Sequence, residues 1–242
     1  VLNSVLGISW FWFFGATFLV QIPSYSQNVL GGNEDVMSVL LAMFIVGIST
    51  GSLLCEKLSG GQVEIGLVPF GAIGLTLFGF DLYLASPEVA LYGMGIAGFF
   101  ADSGNWRVSF DLLMIGVFGG FYIVPLYALV QQRSAPSHRS RVIAGNNILN
   151  ALFMVIAAIF AMLLLGKAGF SIPELFMVTA ILNALVAIYI FSLVPEFLMR
   201  FLVWILVHTI YRVRVTGLHH VPDSGPVIVA ANHVSFADPM II

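Results

Sequence analysis

Six stretches of this chain, 5–22, 36–55, 65–85, 112–130, 142–165 and 175–194, are continuously apolar and contain no Lys or Arg. A bilayer's hydrocarbon core of about 30 Å needs about 20 apolar residues to cross as a helix. Asp81, near the end of the third stretch, is the one acidic residue within the six. Their apolar character runs unbroken rather than alternating, which predicts spanning helices and not barrel strands. The composition agrees: 60% of residues are apolar and 9% charged, where soluble domains carry about 25% charged residues. A seventh apolar run, 89–100, is too short to span. It reads as a re-entrant or interfacial piece between the third and fourth spans.

The basic residues give the orientation. Lys57 lies between spans two and three, Arg133, Arg139 and Arg141 between spans four and five, and Arg200, Arg212 and Arg214 after span six. Only Arg107 and Lys167 fall on the other side, so the positive-inside rule predicts that both ends of the chain face the cytoplasm. A net charge of −3, with basic residues scattered among loops, points to no nucleic-acid partner. Cys55 is the single cysteine, so no internal disulfide or metal cluster is expected, and no cofactor site is visible. The chain opens on Val1 without a basic n-region or small-residue cleavage site, so no signal peptide is expected. The absent Met and the ending inside a motif lead us to expect a fragment of a longer polypeptide.

Several polar or small residues inside the spans invite a role. Asn146, Asn147 and Asn150 lie three and four apart, on one helical face at a membrane end. Intramembrane amides are costly unless paired, so this face should turn toward the bundle or an aqueous cavity, as interhelical glue or as substrate contacts. Gly47 and Gly51 form a small-x-x-x-small pair that predicts close helix packing. Asp81, at the non-cytoplasmic exit, reads as an interfacial carboxylate more readily than as a proton site. Pro69 and Pro125 sit where they can kink their spans.

Beyond the sixth span the texture changes. Residues 196–215 hold an apolar core too short to cross, with Arg200, Trp204, His208 and Arg212 recurring every four residues. This predicts an amphipathic helix lying in the interface, or a plain linker helix. From about residue 216 a Pro-Asp-Ser-Gly-Pro turn and the apolar run 227–231 announce soluble α/β structure. His233 follows that run, and Asp238 lies five positions on. A neutral imidazole can take the proton of a substrate hydroxyl as it attacks a thioester, and a carboxylate can hold the imidazole's tautomer. Asp238-Pro239 also reads as an ordinary helix cap followed by proline at the first helical position.

Context sharpens these readings. Tyr211 to Gly217 and then Gly225 to Asp238, with its Asn232-His233-x-Ser235-x-x-Asp238 block, closely resemble the glycerolipid acyltransferase family. The resemblance implies His233 as general base, Asp238 as its partner, and Asn232 and Ser235 as supports of the turn. It covers only about thirty residues, and the family's later motifs are absent, so this stretch alone is expected to be inactive. Arg139 to Met154 and Gly119 to Gln131 resemble the lysophospholipid transporter branch of the major facilitators, whose bundles have two six-helix halves. In that branch a Val-Pro-Glu-Phe-Leu-Met-Arg-like linker, matched here by 194–200, often leads into an acyltransferase of the 1-acylglycerol-phosphate or 2-acylglycerophosphoethanolamine type. Glu56 and Lys57 fall where major facilitators carry a loop latch, although the usual basic cluster is missing.

The resemblance therefore implies a polytopic α-helical membrane protein. Residues 1–195 would be the C-terminal six helices of a major-facilitator transporter, 196–215 the interfacial linker helix, and 216–242 the start of an α/β acyltransferase domain. Its implied job is inward transport of lysophospholipid across a bacterial inner membrane, joined to reacylation by the fused cytoplasmic enzyme. The implied partners are the lysophospholipid, an acyl thioester donor (acyl-carrier protein or acyl-CoA) and membrane lipids. Two other readings stand beside it: an acyltransferase whose helices only anchor it, and an exporter of another small molecule.

Overall fold

In a bilayer no water reaches the backbone, so each crossing segment must close its own hydrogen bonds, and the apolar runs do so as helices. A computed structural model of the chain describes residues 1–58, 66–87 and 93–193. The helices are α1 (Leu2–Asn28), α2 (Glu34–Leu58), α3 (Leu67–Ala85), the short α4 (Ile96–Ala101), α5 (Ser103–Arg133), α6 (Arg139–Met162) and α7 (Ile172–Leu193). A π-helical turn, Leu163–Lys167, extends α6. Counting that extension, six of these helices are long and apolar enough to cross a membrane. The chain divides into two compact units at Ile190, and of the second only 191–193, the last turn of α7, are described. The linker and acyltransferase-like segments lie outside the described residues.

Capping chemistry sets several helix starts. The Asn33 side-chain oxygen accepts from the backbone N–H groups of Asp35 and Val36, both at 3.1 Å, and Glu34 and Asp35 add negative charge at α2's positive end. Ser171 and Glu174 form a reciprocal capping box before α7: the Ser171 N–H donates to Glu174 Oε2 at 2.7 Å, and the Glu174 N–H reaches Ser171 Oγ at 3.4 Å. Asp102 caps α5 by accepting from the Gly104 N–H at 2.9 Å.

That last cap corrects an expectation. Hydropathy places the start of the fourth span at 112, but α5 starts at Ser103 and carries Arg107 and Asp111 within the helix. Residues 93–101 hold the short α4, tied to α5 by bonds from Asn105 Nδ2 to the Phe99 carbonyl and from Trp106 Nε1 to the Phe100 carbonyl, each 2.9 Å. Pro69 falls in the first turn of α3, where its missing N–H has no helical partner to lose, so it forces no kink. Pro125 does lie inside α5, as does Pro23 inside α1.

α5 is the axis of the bundle: 67% of its apolar window is buried, against 17% for α6 at the rim. Its closest neighbour is α2, and glycines set the distance. A Cβ on Gly47 would lie 2.2 Å from the Leu113 carbonyl oxygen, and one on Gly51 2.1 Å from that of Val117. The contact is reciprocal: a Cβ on Gly116 would meet the Phe44 carbonyl at 2.4 Å and one on Gly120 the Ser52 nitrogen at 2.6 Å. Two small-x-x-x-small pairs thus face each other, and backbones touch where side chains would normally stand. Cys55 packs at the end of this seam against Val117 and Phe121.

The seam yields a contrast. Gly51→Ala should lower stability by about 1–3 kcal/mol through overpacking against backbone that cannot rotate away. Gly145→Ala, with open space around the added carbon, should be neutral or stabilising by up to about 1 kcal/mol. Thermal unfolding of both variants in the same detergent checks the order, and equal effects would contradict the backbone-contact account.

Candidate functional site

α1 and α6 face each other along a seam that is polar at one end and apolar at the other. Near its start α1 presents Ser9, fully buried, and Trp12; α6 presents Asn146 and Asn150, exposed by only 2% and 6%. Asn150 is the hub. Hydrogen bonding is best satisfied with its amide nitrogen toward Ser9 Oγ (3.0 Å) and the Asn146 carbonyl (3.1 Å). Its oxygen then accepts from Asn146 Nδ2 at 3.0 Å and from the Trp12 indole at 3.2 Å. Tyr127 of α5 stands beside them, its hydroxyl 3.2 Å from Trp12 Nε1. One acceptor in this buried group, Asn146 Oδ1, has no hydrogen-bond partner.

Along the next turns of the same two helices runs an open groove of about 260 Å³, floored by the buried Thr17, Ala157 and Ala161. Thr17 and Val20 of α1, Met154, Ala158 and Met162 of α6 and Leu165 of the π turn are among its lining residues. Thr17 spends its hydroxyl on the Phe13 carbonyl of its own helix at 2.9 Å, so it offers the groove mainly its methyl group. The seam thus sets a hydrogen-bonding patch beside an apolar slot. That arrangement matches the two ends of a single-chain amphiphile.

The expected asparagine face divides in the structure. Asn146 and Asn150 turn into the bundle, whereas Asn147 is exposed on the outer side of α6. Glu56 and Lys57 form the exposed last turn of α2, and the loop after residue 58 lies outside the described residues. His233, Asp238, Asn232 and Ser235 lie outside them too. Among the described residues no group of three or more His, Cys, Asp or Glu side chains is placed to hold a metal.

A second amide lies on α7, outside the asparagine face that periodicity picks out. Asn183 of α7 is fully buried and joins three helices. Its oxygen accepts from Trp10 Nε1 of α1 at 2.9 Å, and its nitrogen donates to the Ala72 carbonyl (3.0 Å) and Thr76 Oγ1 (2.9 Å) of α3. A lone amide inside an otherwise apolar run was the available signal, because such a group must find partners in the bundle. An aromatic column, Phe14–Phe18–Phe176, with ring centroids 4.5 Å apart at each step, packs α7 onto α1 nearby.

The lysophospholipid transporter LplT of Klebsiella pneumoniae is 33% identical to this chain over 147 residues. The chain is similar to lysophospholipid transporters. The LplT proteins of Enterobacter sp. (strain 638) and Serratia proteamaculans are 31% and 30% identical over 147 and 146 residues. Each match takes in 60% of this chain but 31% of the relative's length, so the chain spans about a third of these transporters. No family model and no solved structure matches.

Asn183→Ala leaves the Trp10 indole N–H without its acceptor, while the Thr76 hydroxyl keeps its bond to the Ala72 carbonyl at 3.0 Å. Interhelical bonds in bilayers average about 0.6 kcal/mol each and orphaned polar groups about 1–3 kcal/mol. The variant should therefore lose about 1–3 kcal/mol, while Asn147→Ala, on the exposed side, should stay within about 0.5 kcal/mol of wild type. Thermal unfolding in detergent measures both, and an unaffected Asn183→Ala would contradict the tie.

Proposed function

We propose that this chain is the C-terminal six-helix half of a major-facilitator-type lysophospholipid transporter. The similarity to LplT proteins carries the reading. The α1–α6 seam gives it a physical basis, because a lysophospholipid has one polar headgroup and one acyl chain. The headgroup would exchange hydrogen bonds with Asn146, Asn150, Trp12 and Tyr127, and Asn146 Oδ1 already stands free of a partner. The acyl chain would lie along the groove between Thr17 and Met162. A bundle that served only as an anchor would use the Asn150 network to hold α6 to α1, but would leave Asn146 Oδ1 without a partner for no return.

The direction we propose is inward across a bacterial inner membrane, with the Arg133–Arg141 end of the bundle cytoplasmic. We further propose that residues 196–215 lie along the inner surface as an interfacial helix and that 216–242 begin an acyltransferase domain. There His233 would act as general base, oriented by Asp238, with Asn232 and Ser235 holding the turn. The free hydroxyl of the lysolipid would give its proton to His233 as it attacks the acyl thioester of acyl-carrier protein or coenzyme A, and the C–S bond would break with that proton passing to the departing thiol. Delivering an amphiphile to the leaflet beside its acyltransferase replaces a two-dimensional search with a local transfer. Glu56 and Lys57 are proposed to act at the cytoplasmic loop between α2 and α3.

The test separates the two jobs. Spheroplasts bearing the full-length protein or its His233→Ala variant are given radiolabelled lysophosphatidylethanolamine from outside, and the chemical form of the cell-associated label is followed. The wild type should convert label to diacyl lipid; the variant should take it up equally but leave it as lysolipid, with acylation down by about 100-fold or more. No uptake above an empty-membrane control would overturn the transport reading. Full acylation by the variant would overturn the role given to His233.

A further inference from the structure

Asp111 stands out from every other acidic residue described. It lies within the membrane-crossing helix α5, is fully buried, and neither carboxyl oxygen receives a hydrogen bond. Arg107, four residues earlier and so on the same face of α5, is not its partner. That guanidinium instead grips Asp81 of α3 through both Nε and Nη2, with Nε 3.0 Å from Asp81 Oδ2. Asp81 and Asp111 are both neighbours of this one guanidinium, the first by its ion pair and the second by lying one turn further along the same face of α5. Two carboxyl groups therefore stand beside one guanidinium, and the buried one has no donor.

The surroundings leave few ways to satisfy it. The groups that face Asp111 are Asp81 from α3, Arg107 from its own helix and the Tyr25 hydroxyl from α1. Tyr25 is already engaged with Ser86 Oγ at 2.8 Å. Glu34 and Asp35 lie exposed at the start of α2, Asp102 caps α5, and the Glu174 carboxylate of α7 is bound by Ser171. A carboxylate pair cannot bond oxygen to oxygen unless a proton lies between them. Unlike a metal ion with its shell of oxygen ligands, a proton needs no space and no further ligands.

We propose that Asp111 and Asp81 hold one exchangeable proton between them, at the end of the bundle away from Arg133, Arg139 and Arg141, and that this proton decides which carboxyl Arg107 binds. With the proton in place, Arg107 stays on Asp81 and fastens α5 to α3. When the proton leaves to the aqueous face, the charge on Asp111 draws Arg107 along its own helix and loosens that fastening. The movement of α3 against α5 then depends on pH. This rests on the transport reading only for its consequence, since the proton site is a property of the bundle itself.

The test reads the proton directly. Infrared difference spectra of the full-length protein in liposomes are recorded through a pH titration without any lysolipid, for wild type, Asp111→Asn and Asp81→Asn. We expect a protonated-carboxyl band that titrates in the wild type, is lost in Asp111→Asn and is displaced in Asp81→Asn. Asp111→Asn keeps the shape of the protonated form, so it should fold; retention of the wild-type elution volume checks this. Asp111→Glu, which can carry the same proton, should restore a titrating band. A spectrum with no band sensitive to Asp111 at any pH would overturn the proposal. So would displacement of the band by sodium, but not choline, at constant pH, which would assign a metal cation there instead. Because no substrate is present, failure here is distinguishable from failure of transport.

Discussion

The backbone contact between α2 and α5 is the constraint on which the rest of the bundle depends. In lipid there is no hydrophobic drive between apolar helices, so they associate by close packing and by bonds between polar groups. Gly47 and Gly51 against Gly116 and Gly120 let two backbones meet without intervening side chains. This brings α5 to the centre, where α3 also closes on it: a Cβ on Gly71 would lie 2.6 Å from the Tyr122 nitrogen. With α2 and α3 fastened to α5, the polar groups of α5 acquire fixed neighbours. Arg107 meets Asp81, and Tyr127 meets Trp12.

The opposite edge is built differently. α6 is mostly exposed and meets the bundle chiefly along α1 through the Asn150 network. A seam held by amides beside an apolar slot opens at a lower cost than a seam of touching backbones, because each bond lost is worth little and an amphiphile can replace it. The bundle therefore pairs a rigid side, α2–α5–α3, with a yielding side, α1–α6. A carrier of amphiphiles needs both, and the proposed transport role assigns the substrate to the yielding one.

Much of this was legible in the sequence because the bilayer leaves so few choices. Six unbroken apolar runs become six helices, and Gly47 with Gly51 forecast a close approach. Gly116 and Gly120 could not be read the same way, since nothing in a single sequence says which helix will face which. Asp111 was missed for a physical reason. Hydropathy puts the start of the fourth span at 112, whereas the helix capped by Asp102 begins nine residues earlier, at Ser103, and takes in Arg107 and Asp111. Asn183 was hidden by the apolar run around it, although that very isolation obliged it to find partners. Of the asparagine face, periodicity gave the correct spacing but could not tell that α6 would turn Asn147 outward. The His233–Asp238 block is legible only as a motif, and its geometry lies beyond the described residues.

The central claim is that a lysophospholipid occupies the α1–α6 seam. Photocrosslinking tests it most directly, using a lysophosphatidylethanolamine with a photoreactive group midway along its acyl chain and the full-length protein in liposomes. Mass spectrometry then locates the adducts. The account predicts labelling at the buried groove residues Thr17, Ala157 and Ala161, suppressed by excess unlabelled lysolipid. Adducts confined to outward-facing positions such as Leu77, Leu185 and Ile188, and unaffected by competitor, would mean that the lipid only bathes the bundle, contradicting the claim.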